Sequence, residues 1–251
     1  MVKGLQVFKE HFNDHIDSFV IIGGTACSLL LESAEIPFRV TKDIDMILYI
    51  EVLKPDFGKA FWDFVIKGGY QNRQKGSEKK NFYRFFDPTD ENYPGMIELL
   101  SSKPEGFDLK ENSRFTPIPF EEEISSLSAI LMDEDYYSFL KAGRQIVDGL
   151  PVLSAGHLIP LKAKAFLDLT KRKAEGKNVN SDDIKKHKND VFRLFQLMTL
   201  EMRFSLSPTI TEDMKNFITA MRADPVDLKS LKIVTLGFPE ILSNLKDIYG
   251  L

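Results

Sequence analysis

A short apolar run that ends at a double glycine constrains this chain more than any other feature of its sequence. The run at residues 19–22 reads FVII, and four consecutive apolar residues predict a buried strand. Gly23 and Gly24 end the strand, and Thr25 is placed to cap a helix over residues 26–32. Glycines at a helix entrance let the backbone approach a phosphate, which the helix N-terminus also favours.

The next predicted strand, residues 43–50, carries two carboxylates. Asp43 and Asp45 are two residues apart, so on a strand both side chains point to the same face. Asp45 interrupts an otherwise apolar stretch, and burying it without a partner would be costly, so it needs a metal ion, a partner or solvent. Arg39 and Lys42 precede the pair, and they either contact a triphosphate or balance the two carboxylates.

A third acid, Glu98, lies on a predicted strand at residues 96–100. Each feature alone has an ordinary explanation, because a double glycine is usually a turn and an alternating acid is usually solvated. Together the three acids and the glycine turn predict two-metal nucleotidyl transfer. Divalent ions held by carboxylates neutralise a triphosphate and stabilise the leaving pyrophosphate, and a third carboxylate completes the metal site or assists as a base.

Two segments resemble a known family. The sequences GGTA at residues 23–26 and RVTKDIDM at 39–46 look like the signature of the DNA polymerase β-type nucleotidyltransferase superfamily, and within it most like the AbiEii-type branch, which includes toxin components of toxin–antitoxin systems. LIPLKAKA at 158–165 is similar to the lysine-bearing helix of that branch. KNDVFRL at 188–194 is similar to its next helix.

The resemblance implies roles for individual residues. Gly23, Gly24 and Thr25 would contact phosphate, and Lys162 would meet the triphosphate. The metal-binding and catalytic residues would be Asp43, Asp45 and Glu98. The resemblance also implies an NTP donor, Mg²⁺ or Mn²⁺, and an RNA, protein or small-molecule acceptor, with a toxin-like role beside a cognate antitoxin. The competing hypothesis is a catalytically inactive nucleotide-binding or protein-interaction module on the same fold.

The remaining pattern predicts an α+β chain, in which a nucleotidyltransferase-type mixed β-sheet with flanking helices precedes a mostly helical C-terminal half. We expect a nucleotidyltransferase-like domain at 1–153 and a helical domain at 154–251. Further strands are expected at 82–86 and 127–132, and a hairpin at 145–153 whose Pro151 indicates an edge strand. Residues 103–126 look irregular. Helices are expected at 3–16, 57–67, 135–142, 157–173, 182–198, 211–222 and 226–248.

Composition narrows the class of partners. The formal charge of −4 over 251 residues argues against nucleic-acid binding by overall charge. Two basic runs, 171–173 and 185–188, form either a local patch for RNA or a solvated helix face. The single cysteine, Cys27, excludes an intramolecular disulfide. With neither a signal-peptide pattern nor an apolar run of membrane-spanning length, we expect a cytoplasmic protein without membrane contact.

Overall fold

The structure is a computed structural model that describes residues 2–72, 83–104, 113, 115–118 and 127–251. Strands and helices alternate in the first half of the chain, and helices dominate after residue 154. The strands are β1 (Phe19–Ile22), β2 (Asp43–Leu48), β3 (Arg84–Phe86), β4 (Met96–Ser101), β5 (Phe115–Ile118), β6 (Leu127–Leu131), β7 (Arg144–Val147) and β8 (Leu150–Leu153). The helices are α1 (Leu5–His11), α2 (Gly23–Ser33), α3 (Pro55–Gly68), α4 (Glu134–Lys141), α5 (Ala155–Ala174), α6 (Ser181–Phe195), α7 (Pro208–Ala223) and α8 (Phe238–Tyr249), with 3-10 turns at Asn13–Ser18 and Lys229–Leu231.

The described strands form one mixed sheet in the order β5-β6-β4-β2-β1-β8-β7, and β3 pairs with β4. Strand β2 runs parallel to β4 and antiparallel to β1, and β8 runs parallel to β1. The outer pairs β3–β4, β5–β6 and β7–β8 are antiparallel. The predicted α+β class, with a mixed sheet and a mostly helical C-terminal half, is confirmed.

One face of this sheet is apolar and carries the aromatic core. Ile44, Ile97 and Phe85 are paired neighbours on β2, β4 and β3, and none of them is exposed. Phe61 of α3 packs against Phe85 with ring centroids 5.2 Å apart, and Phe8 of α1 packs in the same aromatic cluster. Aromatic side chains bury large areas, so this face anchors α1 and α3.

The strands differ from the sequence predictions at two prolines. Residues 115–118 form β5, although the segment 103–126 was expected to be irregular, and most of that segment lies outside the described residues. Pro117 is accommodated because β5 is at the edge of the sheet. Pro151 was expected on an edge, but β8 lies between β1 and β7. Strand β8 pairs with β1 through one residue pair, Ile21 with Val152. The missing N–H of Pro151 therefore disrupts few hydrogen bonds between these two strands.

The helices also bring two corrections. Helix α2 begins at Gly23, and Thr25 does not cap it. Residues 226–248 do not form one helix, because α8 begins only at Phe238, where Pro239 occupies the first turn. A proline suits the first turn of a helix and cannot donate a bond within one. Phe82, expected at the start of a strand, lies outside the described residues.

The chain divides into two compact units. The first comprises residues 1–137 and 144–153, and the second comprises residues 138–143 and 154–251. In the second unit α5 packs mainly against α6 and α7, and the ring of Phe217 contacts those of Phe166 and Phe192. Across the described residues, no helix combines the length and the apolar character needed to cross a bilayer.

Candidate active site

The two aspartates of β2 lie on the face opposite the aromatic core. Asp43 is exposed and Asp45 is half-buried, whereas Ile44 and Met46, which alternate with them, are fully buried. This burial pattern follows from the two-residue period of a strand. Both carboxylates therefore project from the same side of the sheet, as the sequence predicts.

Gly23 brings the start of α2 directly against Asp45. Ile22 pairs with Asp45 across β1 and β2, and Gly23 follows with φ of 70°. A Cβ at Gly23 would collide with Oδ2 of Asp45. Glycine is required here both for the left-handed backbone and for the close approach of the carboxylate. The first turn of α2, whose free N–H groups give it a partial positive charge, therefore begins directly beside this carboxylate.

Thr25 fastens α2 to β2. Its side chain is fully buried, and its hydroxyl donates a 2.6 Å hydrogen bond to the backbone carbonyl of Asp43. The hydroxyl of Thr41 lies 3.3 Å from that of Thr25. Thr25 thus fixes the position of the first aspartate through the backbone, and its predicted contact with phosphate stays a prediction.

Arg39 lies beside the glycine turn. A Cβ at Gly24 would be 3.7 Å from Nη2 of Arg39 and 3.0 Å from Cγ2 of Thr41. The guanidinium also stacks over the ring of Phe38, with Cζ 4.4 Å from the centroid. A cation is therefore placed beside the glycine backbone, where a triphosphate would add negative charge. This position fits both interpretations of Arg39, contact with a triphosphate and balance of the two carboxylates.

Glu98 shares the face of the aspartates and has a partner that the sequence analysis missed. It pairs in register with Asp45 on the parallel strand β4. Arg84 pairs with Glu98 from β3, and its Nε donates a 2.5 Å hydrogen bond to Oε1 of Glu98. A terminal guanidinium nitrogen contacts the same oxygen. The sequence signal was a single cation within the aromatic strand YRFF at residues 83–86.

The three predicted metal ligands do not form one group in the part of the chain that the structure describes. Among the residues that the structure describes, no three His, Cys, Asp or Glu side chains are grouped so that they could hold a metal ion. Mg²⁺ is commonly held by one or two carboxylates together with substrate phosphates, and Asp43 and Asp45 fit that requirement. Glu98 is held by Arg84, and its role as a third ligand stays a prediction.

Lys162 belongs to the second unit and is buried there. Its ammonium lies 3.2 Å from Oδ2 of Asp190, and both side chains are almost completely excluded from solvent. Arg193 lies 3.7 Å from the other carboxylate oxygen of Asp190. The two helical segments that carry the family resemblance thus supply the two halves of one buried ion pair. The contact of Lys162 with a triphosphate stays a prediction.

The basic run on α6 is partly neutralised. Lys186 pairs with Asp183 at 3.0 Å, and Lys188 pairs with Asp224. Cations that are already paired with carboxylates add little attraction for a polyanion, so these contacts favour the solvated helix face for α6. In the run on α5, Lys173 donates to the hydroxyl of Ser181, which is a neutral partner, and both interpretations of that run stay open.

Comparisons with known proteins give structural similarity only. No protein-family model matches the chain, and no curated protein matches it. An antigenic nucleotidyltransferase-like protein from Paracoccidioides brasiliensis is 14% identical, with a TM-score of 0.42 over 93% of each chain. The antibiotic-resistance factor ANT(2'')-Ia is 13% identical, with a TM-score of 0.36 over 91% of this chain and 97% of that one. The Megavirus polyadenylate synthase is 13% identical, with a TM-score of 0.40 over 88% of this chain and 36% of that one.

All three TM-scores are below 0.5, and similarity of fold does not define activity. The function of this chain must therefore follow from the chemistry of its own side chains.

Proposed function

We propose that this chain is a metal-dependent nucleotidyltransferase. It would move a nucleoside monophosphate from an NTP to a hydroxyl group of an acceptor and release pyrophosphate. One observation carries the proposal: Asp43 and Asp45 project from one face of β2, and the carboxylate of Asp45 lies against Gly23 at the start of α2. Two carboxylates that can hold a metal ion therefore lie beside a helix terminus that can receive phosphate, and this supports the proposal because transfer from a triphosphate requires both.

Each part of this arrangement has a role toward the NTP. Backbone N–H groups at Gly23 and Gly24 would receive phosphate oxygens, and Arg39 would balance part of the triphosphate charge. Asp43 and Asp45 would hold Mg²⁺ or Mn²⁺. The ion, when bound, neutralises the phosphates and lowers the pKa of an attacking hydroxyl. Thr25 would keep Asp43 in place through its hydrogen bond to the backbone carbonyl.

We propose a hydroxyl of an RNA, a protein or a small molecule as the acceptor. The resemblance of residues 23–46 to the AbiEii-type branch adds a toxin-like role and a cognate antitoxin to the proposal.

Transfer of label from the α-phosphate tests this function. The protein is incubated with each α-³²P-labelled NTP, Mg²⁺ or Mn²⁺, and total RNA or cell lysate, and the acceptor fraction is then separated. We expect label in an acceptor from α-labelled NTP and none from γ-labelled NTP. Label that appears from γ-labelled NTP instead would indicate phosphoryl transfer and would contradict the proposal.

A second candidate is a nucleotide-binding module without turnover. It is favoured by the ion pair of Arg84 with Glu98, because the described residues then present two assembled carboxylates rather than three. Equilibrium binding separates the two candidates. If the protein binds an NTP with Mg²⁺ but releases no pyrophosphate with any acceptor tested, the binding module is supported over the nucleotidyltransferase.

A further inference from the structure

The contact between Arg84 and Glu98 lies on the same sheet face as the aspartate pair. Asp45, Glu98 and Arg84 are paired in register across β2, β4 and β3. Neighbouring strands are about 4.8 Å apart, so the backbones of Asp45 and Arg84 are about 10 Å apart across the sheet. An arginine side chain bridges most of such a distance, and a triphosphate that extends from the aspartates along this face would come within its reach.

The geometry of the contact leaves donors for a second anion. Nε and one terminal nitrogen of Arg84 both contact Oε1 of Glu98. A guanidinium has five N–H donors, and contacts to one oxygen atom do not use all of them. The Arg84 side chain is 42% exposed, whereas that of Glu98 is 16% exposed. The cation is therefore accessible to solvent, and the carboxylate that holds it is largely covered.

The same contact argues against Glu98 as a metal ligand. Binding an ion would require Glu98, whose side chain is largely covered, to exchange a charged, hydrogen-bonded partner for the metal. Arg84 in turn has the planar donor set that suits phosphate oxygens.

We propose that Arg84 binds the triphosphate of the donor nucleotide and that Glu98 is the positioning residue that fixes its guanidinium, instead of a third metal ligand. This inference rests on the proposed nucleotidyltransferase function. It assigns the donor side of the site to two aspartates for the metal and one arginine for the phosphates.

Binding measured without metal tests the role of Arg84. Inorganic tripolyphosphate and an NTP are titrated calorimetrically in EDTA against wild type, Arg84→Gln and Arg84→Lys. We expect roughly tenfold weaker binding for Arg84→Gln, because the charge-assisted hydrogen bonds from the guanidinium to the phosphates are lost. Arg84→Lys keeps the charge, and its affinity should lie between those of wild type and Arg84→Gln. Lys67→Ala, which removes an exposed cation paired with Asp63 in the same unit, should bind like wild type.

Binding of Mn²⁺ tests the role of Glu98. Electron paramagnetic resonance counts the bound Mn²⁺ in the presence of a non-hydrolysable NTP analogue. We expect Glu98→Gln to retain wild-type Mn²⁺ occupancy and Asp45→Asn to lose it. We also expect Glu98→Gln, made in the wild type, to weaken the metal-free binding of tripolyphosphate. In an Arg84→Gln background the same substitution should change that affinity by no more than about twofold, because Glu98 would act only through Arg84.

The results separate this inference from the function on which it rests. If wild type binds NTP but Arg84→Gln binds it equally well, or if Glu98→Gln loses Mn²⁺ as Asp45→Asn does, the inference is overturned and the nucleotidyltransferase proposal stands. If wild type binds no tripolyphosphate in EDTA but binds NTP with Mg²⁺, the inference is overturned and the function stands; if it binds no NTP even with Mg²⁺, both are overturned. Thermal unfolding of each variant shows that the comparison is made between folded proteins.

Discussion

The carboxylate of Asp45 occupies the space that a side chain at residue 23 would need. A Cβ added to Gly23 would collide with Oδ2 of Asp45, and the backbone of Gly23 has φ of 70°, which L side chains rarely adopt. The glycine turn and the second aspartate are therefore one structural unit. The close approach explains why residue 23, next to the Asp-x-Asp strand, is a glycine.

A methyl group at residue 23 should damage both stability and nucleotide binding. We expect Gly23→Ala to lower the free energy of unfolding by about 2 kcal/mol or more, because left-handed strain and displacement of Asp45 add. Urea denaturation measures the loss. Gly176→Ala is the matched control, since Gly176 has φ of 76° and no atom within 4 Å of an added Cβ. Equal losses at the two positions would contradict the contact between residue 23 and Asp45.

Loss of the Thr25 hydroxyl should weaken the fold. We expect Thr25→Val to lower the free energy of unfolding by about 1–3 kcal/mol, since the carbonyl of Asp43 would lose its donor in a partly buried position. Thr25→Ser keeps the hydroxyl and should lose less. If Thr25→Val is as stable as wild type and binds NTP more weakly, its hydroxyl contacts phosphate, as the family resemblance implies.

Breaking the buried pair of Lys162 and Asp190 should lower the free energy of unfolding far more than breaking an exposed pair. Lys162→Met leaves a buried carboxylate, and we expect a loss of about 3–5 kcal/mol in the free energy of unfolding, reduced to the extent that Arg193 compensates. Lys186→Met removes the exposed pair with Asp183 and should cost under about 1 kcal/mol. A Lys162→Met protein that keeps full stability but no longer binds NTP would assign Lys162 to the nucleotide.

Acidification should destabilise the second unit through His157. Burial lowers the pKa of His157, whose Nδ1 lies 2.7 Å from the hydroxyl of Ser154. The folded state therefore binds a proton less readily than the unfolded state. Stability is kept above the unfolded pKa of about 6.5 and is lost as the pH falls below it toward the lower folded pKa. Unfolding of wild type and His157→Gln at pH 7.5 and 5.5 measures this. A loss that is the same in both proteins would exclude His157 as its source.

The sequence predicts which residues lie on the face of the aspartate pair better than it predicts the contacts between strands. Alternation alone places Asp43 and Asp45 on one face, because a two-residue period is a local property of a strand. The pairing of Arg84 with Glu98 depends on the register between β3 and β4, and register is set by tertiary packing that no local pattern encodes. The burial of Lys162 against Asp190 has the same origin, since it arises when α5 packs on α6.

Prolines show the same limit in the fold. Pro151 was expected at an edge of the sheet and lies in an inner strand, whereas Pro117, in a segment that was expected to be irregular, lies in the edge strand β5. An inner strand can contain Pro151 because β8 pairs with β1 at a single residue, so few hydrogen bonds depend on the missing N–H. The number of residue pairs between two strands is a property of the assembled sheet, and the residues of one strand do not determine it.

Pyrophosphate release tests the central claim most directly. Wild type, Asp45→Asn and the exposed-carboxylate control Asp56→Asn are compared with each NTP, with Mg²⁺ and with EDTA, in the presence of total RNA and lysate acceptors. We predict release by wild type and Asp56→Asn, loss of at least about a hundredfold in Asp45→Asn, and none in EDTA. Equal release by Asp45→Asn and wild type, or undiminished release in EDTA, would show that the aspartate pair is not a metal-dependent nucleotidyltransferase site.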